Sequence, residues 1–168
     1  MGQSWGSMRK QLEQENICDA LKGRVQYFAT RYRESHDQEG RVAIRLDGQE
    51  VFKSCYFDWY KAREQVISDL TELKKAGSSY REYWDKVHLE TENRGSFDQF
   101  AFYDAFHYYQ NHSIDDCLAS GSAIVRLFTI LDKRVGKRRL QRLLPELEQQ
   151  PDWLKFFYGL RIDAEGIA

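Results

Sequence analysis

The chain has 168 residues, 42% of them hydrophobic and 14% aromatic, with 25 basic and 26 acidic residues giving a formal charge of −1. That length suits a single domain with its own core, and the apolar content excludes an intrinsically disordered protein even though 30% of residues are charged. Met1 to Gln14 is polar and charged and no apolar run is long enough to cross a bilayer, so a cytoplasmic protein with no membrane partner is expected.

Ser7 to Leu21 predicts one amphipathic helix, with Met8, Leu12, Ala20 and Leu21 inward, Trp5 anchoring its entry and Gly23 ending it. Arg24 to Arg33 is dense in β-branched and aromatic residues and predicts a strand. After a loop over Ser35 to Gly40, Val42, Ile44 and Leu46 alternate with Arg41, Ala43 and Arg45, the pattern of a second strand with one wet face. Asp47-Gly48 suits a two-residue hairpin turn because both residues tolerate positive φ. Gln49 to Lys53 is therefore expected to return as a third strand.

From Tyr56 the period becomes helical through Trp59, Tyr60, Arg63, Ile67 and Leu70, and Gly77 stops it. Ser79 with Glu82 predicts a capping box opening a helix that Gly95 closes, and Ser96 with Gln99 predicts another start of the same kind. The helix that follows carries Phe97, Phe100, Phe102, Tyr103, Phe106, Tyr108 and Tyr109. So many rings must be packed on several sides or leave an aromatic patch for a partner. Ser113, followed by Asp116, predicts the N-cap of a central core helix ending between Asp132 and Gly136. Its residues Ile124, Leu127, Phe128 and Leu131 are expected at the centre of the core, against Trp59, Phe106 and Trp153. Lys137 to Gln149, interrupted at Pro145, and a last helix from Pro151 to near Gly166 complete the chain. The expected fold class is α+β: an N-terminal helix and three-stranded antiparallel meander (residues 1–53), then a mostly helical region (54–168), in one domain over 1–168.

Ala20 to Val51 (ALKGRVQYFATRYRESHDQEGRVAIRLDGQEV), the pair Trp59-Tyr60, Leu131 to Leu140 (LDKRVGKRRL) and Phe157 to Gly166 (FYGLRIDAEG) together resemble a family of small uncharacterised bacterial proteins. LDKRVGKRRL is the most specific of these segments. The resemblance spans nearly the whole chain and implies a complete single domain in a bacterial cytoplasm, with no activity attached.

The anomaly in the sequence is KRVGKRRLQR, where Lys133, Arg134, Lys137, Arg138, Arg139 and Arg142 stand with no acid among them. The other 19 basic residues face 26 acidic ones, so a basic spot sits on an acidic body. Gly136 precedes a helix start, so the N–H groups of Lys137, Arg138 and Arg139 are expected to point together at an anion, with the neighbouring cations around it. The bland alternative is a solvated surface paired with acids such as Asp132, Glu146 and Glu148. The leading reading is a non-catalytic binding protein using this turn for an acidic protein or a phosphate-bearing ligand. The runner-up is a nucleic-acid-binding protein that adds an arginine face of the sheet, Arg31 and Arg33 with Tyr27 on one strand and Arg41 and Arg45 on the next.

An enzyme comes third. His36, His88, His107 and His112 show no metal-ligand spacing, although Asp104, Asp115 and Asp116 lie near His107 and His112, and no phosphate-binding loop or nucleophile elbow is present. Cys18, Cys55 and Cys117 are odd in number and scattered, which fits reduced thiols rather than a disulfide framework or zinc site. No metal and no cofactor are expected, and no catalytic residue is assigned. A cleft lined by two or more of these histidines and acids would turn the reading toward catalysis.

Overall fold

The computed structural model describes residues 3–31, 40–77 and 79–167. Strands β1 (Val25–Arg31), β2 (Gly40–Leu46) and β3 (Gln49–Cys55) form an antiparallel sheet in the order β1-β2-β3. The β2–β3 turn falls on Asp47-Gly48, with φ of 52° and 82°, the left-handed region that Asp tolerates and Gly adopts freely. In register, Val25 faces Leu46 and Arg31 faces Gly40, while the β2–β3 pairing shifts between Ile44 and Arg45. Gly40 has room for nothing larger: a Cβ there would lie 2.2 Å from the Thr30 carbonyl oxygen. The strand pattern puts Val25, Tyr27, Val42 and Ile44 into the core.

The N-terminal segment departs from the single helix expected. Helix α1 (Trp5–Lys10) widens into a π-helical turn (Gln11–Glu15) and ends at Asn16, and only a 3₁₀ turn (Asp19–Leu21) follows. The reason is tertiary: Ile17 forms an isolated bridge with Asp132, and the Cys18 N–H donates to the Leu131 carbonyl at 2.9 Å. Those bonds replace the ones a continuous helix would have made within itself. The Glu13 carboxylate accepts from the Tyr27 N–H at 2.7 Å, which ties the turn to β1.

Helices α2 (Tyr56–Asp69), α3 (Thr71–Lys75) and α4 (Tyr80–Asn93) follow the sheet. The capping box at Ser79 and Glu82 forms as the sequence predicts. Helix α5 (Gln99–Asn111) does not start at Ser96; Asp98 is the N-cap and accepts from the Ala101 N–H at 3.0 Å. Gln99, which a capping box would keep at the surface, is wholly buried instead.

The expected long core helix is two helices. Ser113 caps α6 (Ile114–Leu118) through the Asp116 N–H at 3.1 Å, and the chain restarts at Ser122 as α7 (Ala123–Ile130). All of α7 is buried except Arg126. Helix α8 (Lys137–Leu143), a 3₁₀ segment from Leu144 with Pro145 in its first turn, and α9 (Asp152–Ala164) complete the described chain.

Phe128 is the hub of the core, with the rings of Tyr27, Phe102, Phe106 and Tyr109 between 5.0 and 6.3 Å away. Ile124, Leu127 and Leu131 are buried beside it, as predicted. Of the expected partners Phe106 is there, but Trp153 packs against Phe52, Phe97 and Phe157. Trp59 lies away from the core, half-buried beside Tyr56 and Arg63, because α2 leans on α4 and shares a small cluster of its own with Val66, Tyr83 and Val87. The three cysteines are free thiols. Among the described residues, no helix is long and apolar enough to cross a membrane.

Leu127 is fully buried, so Leu127→Ala is expected to cost about 2 to 5 kcal/mol of unfolding free energy, read from denaturant titration. A loss well under that range would show that the core is centred elsewhere.

Candidate functional site

The basic turn is mounted on buried polar groups. Arg161 of α9 is 2% exposed; its Nη1 donates to the carbonyls of Ile130 at 3.0 Å and Asp132 at 2.8 Å, and its Nη2 to that of Val135 at 2.8 Å. The Asp132 carboxylate, also buried, accepts from the Tyr109 hydroxyl, from the Arg134 N–H at 2.7 Å and from Arg134 Nη2 at 2.6 Å. Burial and the adjacent Asp132 charge push the Tyr109 hydroxyl well above its ordinary pKa, so it remains a donor. The Lys133 N–H donates to the Asn16 carbonyl at 2.7 Å. Leu131 to Val135 is thus held by the N-terminal segment, α5 and α9 at once.

The six predicted cations divide. Lys133, Arg134, Lys137, Arg138 and Arg142 are exposed and Arg139 is half-buried. Arg134 is tied to Asp132, and Arg139 pairs with Asp115 at 3.0 Å. Lys133, Lys137, Arg138 and Arg142 have no ion-pair partner among the described residues. Of the three acids expected to neutralise the turn, Asp132 does so and Glu148 pairs with Lys155 instead. The converging N–H groups are fewer than expected, because the Arg139 N–H turns back to the Gly136 carbonyl at 3.0 Å. The first turn of α8 is tight enough to close a 3₁₀-type bond there.

The arginine face is also changed. Tyr27 is 1% exposed and offers no ring to a base, Arg41 is engaged by Glu50, and the Arg45 guanidinium lies 4.4 Å over the Phe28 ring. Arg33, His36 and the side chain of Arg31 lie outside the described residues.

A second feature carries no signal in the sequence. A cleft of about 370 Å³ opens between α4, α5, the turn at Ser96 to Asp98 and the break at Ser120 to Ser122, with Trp59 of α2 on its wall. Glu92 of α4 lines the cleft and reaches the break: its Oε1 accepts from the Ser122 hydroxyl at 2.5 Å and the Ile124 N–H at 2.8 Å, which caps α7. Burial pushes the Glu92 carboxyl up, opposed by the Ser122 and Ile124 bonds and by Arg126. Asp104 is pushed up by burial and then by the Asp98 charge, opposed by His107.

His88 and Asp104 both line the cleft, and a histidine and an acid in one cleft favour catalysis. Among the described residues, however, no hydrogen bond joins His88 to a serine or carboxylate, and Ser122 donates directly to Glu92 with no imidazole between them. A nucleophile, its base and an orienting group are therefore not assembled here. His107 lines a second cleft with Asp104, and His112 stacks on Tyr108 at 3.7 Å. Among the described residues, no group of three or more His, Cys, Asp and Glu side chains is placed to hold a metal ion.

An α+β fold with a run of exposed basic side chains beyond α7 and a cleft lined by rings and carboxylates between α4 and α5 is the class of protein described so far. The chain belongs to the SF0329 protein family, which it matches over residues 4–162. No curated protein and no solved structure matches it.

Two outcomes test this geometry. Asp132→Ala strands the buried Tyr109 hydroxyl and is expected to cost about 1 to 3 kcal/mol in denaturant titration. Glu92 bears on pH. With its carboxyl raised on folding, the native state holds the proton more tightly than the unfolded chain, so this group's contribution falls as pH rises from the ordinary carboxylate value through the raised one. Glu92→Gln keeps an acceptor for Ser122 and Ile124 without the buried charge. Its stability relative to the parent is expected to improve from acid to neutral pH, and an unchanged difference across that range would contradict the assignment.

Proposed function

We propose that this member of the SF0329 protein family is a non-catalytic binding protein that holds an acidic protein or a phosphate-bearing ligand at the turn from Lys133 to Arg142. The observation that carries the reading is the set of exposed cations without ion-pair partners among the described residues, Lys133, Lys137, Arg138 and Arg142, on a backbone fixed by Asp132 and Arg161. Unpaired surface charge contributes little to folding, while cations held near one another raise the local potential for an anion without ordering a loop on binding. Arg134, half-exposed and pinned to Asp132, adds hydrogen-bond donors at the edge of the same patch. Nucleic acid is the weaker partner, since Tyr27 is buried and Arg41 and Arg45 are engaged within the sheet.

Replacing Lys137, Arg138 and Arg142 together by alanine is expected to abolish calorimetric binding of inorganic tripolyphosphate while changing stability by no more than about 1 kcal/mol. Mobility-shift assays of the parent with duplex DNA at low salt, where electrostatic association is strongest, are expected to show no complex. Failure of the parent to bind tripolyphosphate under the same conditions, or unfolding of the triple variant, would remove the reading; a DNA complex lost in that variant would replace it with nucleic-acid binding.

A further inference from the structure

Among the cations of the basic turn, Arg139 is held by an exposed acid rather than by the scaffold. Its Nη2 lies 3.0 Å from Asp115 Oδ1, and the side chain of that aspartate, in the first turn of α6, is 77% exposed. Arg134 differs: its partner Asp132 is buried and also accepts from the Tyr109 hydroxyl. An ion pair as open to solvent as Arg139 with Asp115 contributes little to folding and gives way to a competing anion. On α8, Arg142 lies three residues beyond Arg139 and four beyond Arg138, spacings that bring side chains together on a helix surface. Arg138 and Arg142 have no ion-pair partner among the described residues, so two free arginines stand beside the held one.

We infer that Asp115 is a specificity-determining residue of the basic turn: it masks Arg139, and a ligand gains that arginine only by displacing the aspartate. The inference rests on the reading of the turn as an anion-binding site. A single phosphate group can be met by Arg138 and Arg142 and has no need of Arg139. A run of adjacent phosphate groups can lie across all three guanidinium groups, and its further charges compete with the Asp115 carboxylate for the same donors. The ligand class is therefore a short polyphosphate, or a molecule that carries one, rather than a phosphate monoester. Asp115 opposes any anion at the turn through its charge, and opposes the polyphosphate further by occupying Arg139.

Isothermal titration with tripolyphosphate at low salt tests the inference. Asp115→Asn is expected to tighten binding at least about fivefold. Asp116→Asn removes the same charge one residue away, from an exposed carboxylate with no ion-pair partner among the described residues. It is expected to tighten binding about twofold or less, the effect of net charge alone. Arg139→Ala is expected to weaken binding at least about threefold, and in that background Asp115→Asn adds no more than Asp116→Asn does. Orthophosphate is expected to bind the parent at least about tenfold more weakly than tripolyphosphate. Asparagine keeps the size of aspartate and alanine favours a helix, so each variant is expected to keep the parent's circular dichroism. Equal gains from the two aspartate variants, unchanged affinity in Arg139→Ala, or orthophosphate binding as tight as tripolyphosphate would overturn the inference and leave anion binding at the turn in place. A parent that binds no tripolyphosphate would overturn both.

Discussion

All of helix α7 except Arg126 is buried, and so short a buried helix can be stable only if the groups at its two ends are satisfied from elsewhere. At its N-terminal end the Glu92 carboxylate, from α4, accepts from the Ile124 N–H; at its C-terminal end the Arg161 guanidinium, from α9, donates to the Ile130 carbonyl. A negative group at the start and a positive one at the finish also match the helix dipole. The hydrogen bonds of these two side chains are therefore the condition on which burial of the central helix rests, and they join α4, α7 and α9 into one body.

The same two caps lie next to the basic turn and the cleft. Arg161 goes on from Ile130 to the carbonyls of Asp132 and Val135, which fixes the segment carrying Lys133 and leading to Lys137 and Arg138. Glu92 holds the restart of α7 at Ser122 and so shapes one wall of the acidic cleft.

Rigidity follows from where the polar bonds are made. The Tyr109 hydroxyl, the Arg134 guanidinium and two stretches of backbone all converge on Asp132 and its neighbours. A buried carboxylate is tolerated there because its hydrogen bonds replace those it made with water, and removing any one donor leaves the rest poorly compensated. The exposed cations of the turn sit above this network and take little part in it, which is the division expected between a scaffold and the surface that it displays.

The sequence by itself determined the parts of the protein governed by near neighbours. The sheet followed from alternation and from Asp47-Gly48, the capping box from Ser79 and Glu82, the interruption of the helix at Pro145, and the surface position of the basic turn from its charge density. Each depends on contacts within a few residues or on solvation alone. Tertiary structure decided the rest. The N-terminal helix stops at Asn16 because Ile17 and Cys18 pair with a segment more than a hundred residues away, and the core helix breaks at Ser120 to Ser122 because Glu92 supplies a second cap. The loss of Arg134 and Arg139 to ion pairs, the burial of Tyr27 and the assembly of Trp59, Asp98 and Asp104 around one cleft likewise depend on distances that spacing in the chain does not encode. Arg161 shows the boundary most clearly: an arginine in an apolar helix signals a buried partner, but only the fold supplies the three carbonyls that it binds.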